Sequence, residues 1–105
     1  MLDINIEFTK GVLFIRLEGV LDNTNIDNIR DSIIKILKEG GIKYLVFNVH
    51  NLKVNDNVSL FDECEKIVKL NDGNMLICGL DSDLSLKNYK HVDNELIALR
   101  TLSSC

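Results

Sequence analysis

The chain has 105 residues, of which 46% are hydrophobic and 27% charged, the balance of a globular protein with a single domain over residues 1–105. Its formal net charge of -4 and pI of about 5.0 argue against a nucleic-acid-binding protein, because contacts to phosphates need clustered Lys and Arg. No apolar run approaches the roughly 18 residues of a membrane span, and the N-terminus has no signal-peptide pattern, so we expect a cytoplasmic protein without a membrane partner.

The first elements are two strands joined by a short turn. Apolar and polar residues alternate over residues 2–8, which predicts a strand with one face exposed to water. The turn Thr9–Gly11 connects it to a second, more buried strand over residues 12–17. The two strands are therefore predicted to form a hairpin.

A helix and a buried strand follow. Thr24 is predicted to cap a helix whose apolar residues fall on one face between Ile26 and Leu37 and which ends at Gly40 and Gly41. The next run, residues 42–49, is rich in β-branched and aromatic residues, which indicates a buried strand.

The second half of the chain repeats the alternation of helix and strand. A helix with an apolar face is predicted over residues 58–69, and a buried strand over 75–78. In the tail, residues 88–92 are assigned to a short strand, and Asp93 to the cap of a final helix. The predicted fold class is α/β, with a mixed four- or five-stranded sheet and helices packed mainly on one face.

Three strings of residues, in this order and spacing, resemble the STAS family of bacterial anti-sigma factor antagonists and their relatives. Residues 17–22 match its Leu-x-Gly-x-Leu-Asp motif, residues 41–48 match its Gly-x-x-x-Leu-Val-x-Asp strand, and residues 76–80 match the strand after the second helix. Asn48 stands where that family usually has Asp. The resemblance covers about residues 2–80 and implies a STAS-like fold with a shortened C-terminal part.

The resemblance also locates a regulatory loop, and here the sequence departs from the family. The family's loop reads Asp-Ser-Ser/Thr-Gly-Leu, with the phosphorylated hydroxyl just before the glycine; the matching residues are Asp56, Asn57, Val58, Ser59 and Leu60. Val58 has no hydroxyl at the phosphorylated position, so the usual switch is predicted to be disabled. A one-residue slip places Ser59 there instead. We favour Ser59 as a solvated residue of the first helical turn and keep it as the weaker substitute target.

The implied function is non-enzymatic and regulatory. In this family the domain binds an anti-sigma factor with serine kinase activity and frees a sigma factor, which is called partner switching. Asp56 is expected to shape the loop and cap the second helix, while its neighbours contact the partner. The predicted partner-binding residues are Asp22, Asp56, Asn57, Val58, Ser59 and Leu60.

Two other classes of function stay open. The chain is alternatively a STAS-like scaffold or adaptor of another complex, or a module that binds a nucleotide or small ligand at the helix N-terminus near Asp56–Val58. Asp22 and Asp56 are expected to lie at the same end of the sheet, where paired carboxylates can do acid–base work. We favour a role in capping helices and shaping the loop.

The remaining residues of catalytic type give no motif. His50 and His91 are interpreted as exposed loop histidines, because nothing pairs them with an activated nucleophile. Cys64 falls on the apolar face of the second helix and Cys78 inside a strand, so both are predicted to lie in the core, and Cys105 is predicted to be an exposed thiol. No metal-ligand spacing or phosphate-binding glycine loop occurs, so no metal or cofactor is predicted.

The tail carries one further expectation. About 25 residues follow Leu80, fewer than the family generally uses for its last helix, strand and helix. A missing or very short element there would expose an apolar patch, which favours a homodimer.

Overall fold

The computed structural model describes residues 2–22, 25–54, 59–79 and 89–103. Helices and strands alternate along these residues after an initial hairpin. They are β1 (Leu2–Thr9), β2 (Val12–Leu21), α1 (Ile26–Gly40), β3 (Tyr44–Val54), α2 (Ser59–Leu70), β4 (Asn74–Cys78), β5 (His91–Val92) and α3 (Glu95–Ser103).

The strands form one mixed sheet with the order β1-β2-β3-β4-β5. β1 pairs with β2 antiparallel, and all the later pairs are parallel. Parallel neighbouring strands need a crossover connection, which is usually a helix. The helical periodicity in the sequence between these strands indicated such crossovers. The predicted α/β class, with a mixed sheet of up to five strands, is confirmed.

The two faces of the sheet carry separate hydrophobic clusters. Alternate residues of β2 illustrate this: Leu13 and Ile15 pack with α1 and α2, whereas Val12 and Phe14 pack with α3. Two of the described helices therefore cover one face, and the short C-terminal helix covers the other.

Both predicted amphipathic helices bury the stripe that the sequence indicated. In α1, Ile26, Ile33 and Leu37 are buried, and in α2, Cys64 and Val68. The 3.6-residue period therefore identified the packed faces correctly.

Element ends differ from the predictions because tertiary contacts extend or shift them. β2 runs on to Leu21 and β3 to Val54, and these two residues are partners in the parallel ladder. Residue Thr24, the predicted cap of α1, lies outside the described residues, and the N-cap position is Asn25. At α3 the side chain of Asn94 caps the helix by accepting a hydrogen bond from the Ile97 N–H at 3.0 Å, one residue after the predicted Asp93.

The prediction that β1 has a single wet face is wrong. Ile4, Ile6 and Phe8 are 41%, 41% and 61% exposed. Their partners in β2 belong to the cluster under α1 and α2, so the three side chains extend from the core side of the sheet. β1 lies at the edge of the sheet, and the apolar row there is largely open to solvent.

Candidate functional site

The chain leaves β2 through a tight, hydrogen-bonded turn at Asp22. The backbone carbonyl of Asp22 accepts hydrogen bonds from the N–H groups of Asn25 and Ile26 at 3.3 and 3.1 Å. The Asn25 side chain accepts from the Asp22 N–H at 3.1 Å and donates to the Val20 carbonyl at 2.9 Å. An asparagine side chain that forms hydrogen bonds with the backbone of its own turn fixes the backbone conformation of that turn. These hydrogen bonds hold Asp22 in a fixed position between the end of β2 and the start of α1, which we call the corner at Asp22.

The segment that enters α2 leaves the sheet beside this corner. Leu21 and Val54 are register partners, so β2 and β3 end next to each other. Asp22 follows the first of these strands, and α2 begins at Ser59, shortly after the second. The intervening residues include the predicted Asp56, Asn57 and Val58, which lie outside the described residues. The expected proximity of Asp22 and Asp56 thus stays a prediction.

Leu60 is a core residue, which corrects its predicted role as contact surface. Its side chain is 0% exposed and belongs to the cluster between the helices and the sheet. The physical reason is the helical period, because Leu60, Cys64 and Val68 are spaced by four residues and lie on one stripe. That spacing was readable in the sequence.

Aromatic packing anchors the first turn of α2 to the sheet. The Phe61 ring, which is 0% exposed, meets the Phe47 ring of β3 edge-on, with ring centroids 4.9 Å apart. The Tyr89 ring is also close, with its centroid 6.0 Å from that of Phe61. Such contacts add to the stabilisation from area burial, so the position of this turn is firmly set.

A hydrogen bond that the sequence did not reveal ties the same turn to the C-terminal part of the chain. The Tyr89 hydroxyl donates to the Asp62 Oδ1 at 2.5 Å. Burial of the hydroxyl, together with this bond, raises the pKa of Tyr89 above its ordinary value. Tyr89 and Asp62 are 27 positions apart in the sequence, so they come into contact only when the chain is folded.

The opposite face of the sheet carries a second polar cluster that sequence reasoning missed. The Arg16 guanidinium of β2 donates two hydrogen bonds to the Glu95 carboxylate of α3, each 2.8 Å long. The Asn48 amide of β3 donates to the same carboxylate at 2.8 Å. Paired, bidentate geometry of this kind fixes α3 against the sheet.

This cluster gives a reason for Asn48 at a position where the resemblance leads one to expect Asp. The Asn48 amide N–H is a donor, and its carbonyl oxygen accepts from the His50 N–H at 3.0 Å. An aspartate would face Glu95 with a second negative charge and no donor. Hydrogen bonding from Arg16 holds the pKa of Glu95 below its ordinary value, against the opposing effect of burial.

The lowered pKa of Glu95 sets the direction of a pH effect on stability. A carboxyl whose pKa is lower in the folded state stabilises the fold above its unfolded pKa of about 4.3, and that stabilisation is lost as pH falls through the folded value. We expect Glu95→Gln to be less stable than wild type at neutral pH and the difference to shrink as pH falls below about 4. Urea midpoints measured between neutral and acid pH test this. A constant difference across the range would contradict it.

The buried cysteines are confirmed as core residues. Cys64 and Cys78 are both 0% exposed, and burial raises the pKa of each thiol to about 12. Neither supplies a thiolate nucleophile at neutral pH. His50 and His91 are exposed, as predicted, although they lie in β3 and β5 rather than in loops.

The described part of the chain contains neither a candidate metal site nor a candidate membrane span. Within residues 2–22, 25–54, 59–79 and 89–103, no three His, Cys, Asp or Glu side chains cluster as metal ligands would. Over the same residues, no helix has the length and apolar character needed to cross a bilayer.

The domain is therefore an α/β domain in which an antiparallel hairpin opens an otherwise parallel sheet and two helices cover one face. The sequence profile of the STAS domain matches residues 3–92. The chain belongs to the STAS domain family, and the resemblance based on three short strings is confirmed.

Solved structures share this fold at low sequence identity. The unphosphorylated anti-sigma factor antagonist SpoIIAA, a Bacillus cell fate determinant, has a TM-score of 0.81 and 18% identity, over 98% of this chain and 100% of that one. RsbS from Moorella thermoacetica has a TM-score of 0.78 and 16% identity, over 96% of this chain and 95% of that one. An anti-sigma factor antagonist from Mycobacterium paratuberculosis has a TM-score of 0.82 and 11% identity, over 98% and 95%.

Proposed function

We propose that this STAS domain is a non-enzymatic regulator that binds a kinase-type anti-sigma factor and thereby frees a sigma factor. Family membership over residues 3–92 supports the class of function. The observation that carries the proposal is the corner at Asp22, which hydrogen bonds hold at the end of β2, next to the end of β3. A rigid acidic corner beside a helix N-terminus is a surface suited to recognition by another protein.

The proposed docking surface consists of Asp22 with residues 56–59, the last four approaching and starting α2. Leu60 is not part of it, because it is buried. Together with Phe61, Leu60 fixes the first turn of α2 against the core. The helical turn at the C-terminal end of the proposed surface is therefore rigid, which lowers the entropy lost on binding.

The proposed regulation differs from a phosphorylation switch. A phosphate adds about -1.5 to -2 charge and would repel an acidic binding site, but it needs a hydroxyl acceptor. Val58 has none at the family's phosphorylated position. We therefore expect the complex with the kinase to persist when ATP is added.

Charge removal at Asp22 tests the docking surface. Asp22→Asn keeps the shape of the side chain and removes one charge, so binding to the purified anti-sigma factors of the source organism should weaken about tenfold or more. Glu39→Gln, an exposed residue near the end of α1, is the matched control and should bind as wild type does. Isothermal titration gives both affinities. Equal affinities for Asp22→Asn and wild type would reject this surface.

Restoring a hydroxyl tests the proposed loss of the switch. With the kinase and ATP, Val58→Ser should gain one phosphoryl group, detected by intact mass, and release the partner. Wild type should do neither. If ATP released wild type and its phosphate mapped to Ser59, that residue would be the substitute target and the unswitched mechanism would be wrong. No affinity for any kinase-type anti-sigma factor would reject the antagonist function and leave the scaffold alternative.

A further inference from the structure

The edge strand β1 combines two features that stable monomers usually avoid. Its apolar row, Ile4, Ile6 and Phe8, is 41%, 41% and 61% exposed. Among the residues that the structure describes, β2 is its one strand neighbour, so the other edge offers unpaired backbone groups. Natural edge strands are generally protected by charged side chains, above all lysine, by proline or by a bulge within the strand. Leu2–Thr9 contains no Lys or Pro, its register with β2 is unbroken, and the Glu7 carboxylate is already paired with Arg16.

The hairpin turn determines which backbone groups face the open edge. Lys10 and Gly11 have φ values of 52° and 80°, as in a two-residue type I′ turn. Such a turn is closed by a hydrogen-bonded pair, here Thr9 and Val12, and hydrogen-bonded pairs alternate with non-hydrogen-bonded pairs along the ladder. The N–H and C=O groups of Ile4, Ile6 and Phe8 therefore point away from β2, toward the open edge.

We propose that a second copy of this chain pairs with β1, antiparallel, about a two-fold axis that passes through Ile6. In this register Ile6 lies opposite Ile6 of the second copy, and Ile4 lies opposite Phe8. The backbone groups at the open edge of the two strands then complete each other's hydrogen bonds. The exposed apolar side chains form one continuous row on the face that carries α1 and α2.

Charge selects this register over its neighbours. An axis through Asn5 would set Asp3 against Glu7 twice, and an axis through Glu7 would set two glutamates directly opposite each other, both of which are destabilising. An axis through Ile4 would pair only residues 2–6. The axis through Ile6 pairs residues 3–9 and sets no like charges opposite each other.

On the opposite face of the two paired strands, the polar side chains of one copy complement those of the other. It places Glu7 of each copy opposite Asn5 of the other, and Asp3 opposite Thr9, whose hydroxyl can donate to a carboxylate. Within each copy, the Arg16 guanidinium already contacts both Asn5 and Glu7, at 2.8 Å from the Asn5 Oδ1 and 2.9 Å from the Glu7 Oε1. Each guanidinium thus neutralises the carboxylate that faces the other copy.

The two-fold axis has a consequence for partner binding. Because the axis is perpendicular to the sheet, the two copies of β2 run in opposite directions in one continuous sheet. The two corners at Asp22 then lie at opposite ends of the dimer. Each copy would present its own docking surface, and neither surface is covered by the strand pairing.

Sedimentation analysis over a concentration series tests the dimer. We expect the average mass to rise from 11.9 kDa toward twice that value between about 10 µM and 1 mM, as a small interface predicts. Ile6→Lys puts two ammonium groups on the axis and should weaken association at least tenfold. Leu70→Lys is the matched control, since Leu70 is 83% exposed on α2, and it should associate as wild type does. A wild-type monomer at every concentration, or an unaltered dimer in Ile6→Lys, would overturn the proposal.

Cross-linking of introduced cysteines tests the register and does not require the Ile6→Lys variant to fold. The two variants, Ile6→Cys and Ile4→Cys, are made in a Cys105→Ser background. Opposite residues of a hydrogen-bonded antiparallel pair have Cα atoms about 5.5 Å apart, within the range that a disulfide spans. Mild oxidation should therefore link Ile6→Cys chains into dimers and leave Ile4→Cys chains unlinked. Linking of Ile4→Cys with no linking of Ile6→Cys would reject the axis through Ile6.

Discussion

Replacing Gly73 by alanine should cost about 3 kcal/mol or more of the free energy of unfolding, a large share of the total for a domain of this size. A Cβ at this position would collide with the carbonyl group of Lys43 and would lie 2.5 Å from the Lys43 Cα. These are backbone atoms of the residue just before β3, and they cannot rotate away as a side chain can. We expect the melting temperature to fall by roughly 12 °C or more.

The backbone around Gly73 is fixed by hydrogen bonds on both sides, which prevents relaxation. The Gly73 N–H donates to the Val68 carbonyl at the end of α2, and the Asn74 N–H donates to the Lys43 carbonyl, each at 2.8 Å. The Asn71 side chain also donates to the Ile42 carbonyl at 2.9 Å. Moving Gly73 away from Lys43 would break the contact between the beginnings of β3 and β4.

Gly40→Ala is the matched control for this steric argument. Gly40 ends α1, and an added Cβ would meet only the Ile42 side chain, with Cδ1 at 3.3 Å. That group can shift, and alanine favours helix over glycine by up to about 1 kcal/mol. Thermal unfolding should place Gly40→Ala within a few degrees of wild type. A similar loss in both variants would mean that glycine flexibility, not the contact with Lys43, determines the effect.

Local patterns in the sequence predicted the order of elements because each pattern reports on a short segment. The 3.6-residue period identified the buried faces of α1 and α2, and the β-branched run predicted β3. The same method failed for β1, where alternation indicates an apolar face but cannot tell whether a helix covers it. Coverage depends on where the strand lies in the sheet, and β1 lies at the edge.

The polar cluster on the α3 face of the sheet could not be predicted from the sequence, for a related reason. Arg16 and Glu95 are 79 positions apart, so their pairing appears only when α3 packs across the sheet. Arg16 also occupies a position in β2 where the apolar run of residues 12–17 is interrupted, and that interruption was the available signal. Leu60 is the opposite case, because its spacing from Cys64 and Val68 already indicated burial.

Because Leu60 is buried, a charge at this position should unfold the domain instead of altering the docking surface alone. Leu60→Asp would place a carboxylate in a fully buried site without a partner, at a cost of several kcal/mol beyond the roughly 2–5 kcal/mol lost when a buried leucine is truncated. We expect this variant to be largely unfolded at 25 °C, as measured by far-UV circular dichroism. Leu70→Asp, on the same helix and 83% exposed in wild type, should remain folded. If Leu60→Asp kept the wild-type spectrum and melting temperature, Leu60 would be accessible, and its original assignment to the contact surface would stand. If Leu60→Asp is unfolded, any loss of partner binding in this variant follows from loss of the fold, so Asp22→Asn is the substitution that tests the docking surface.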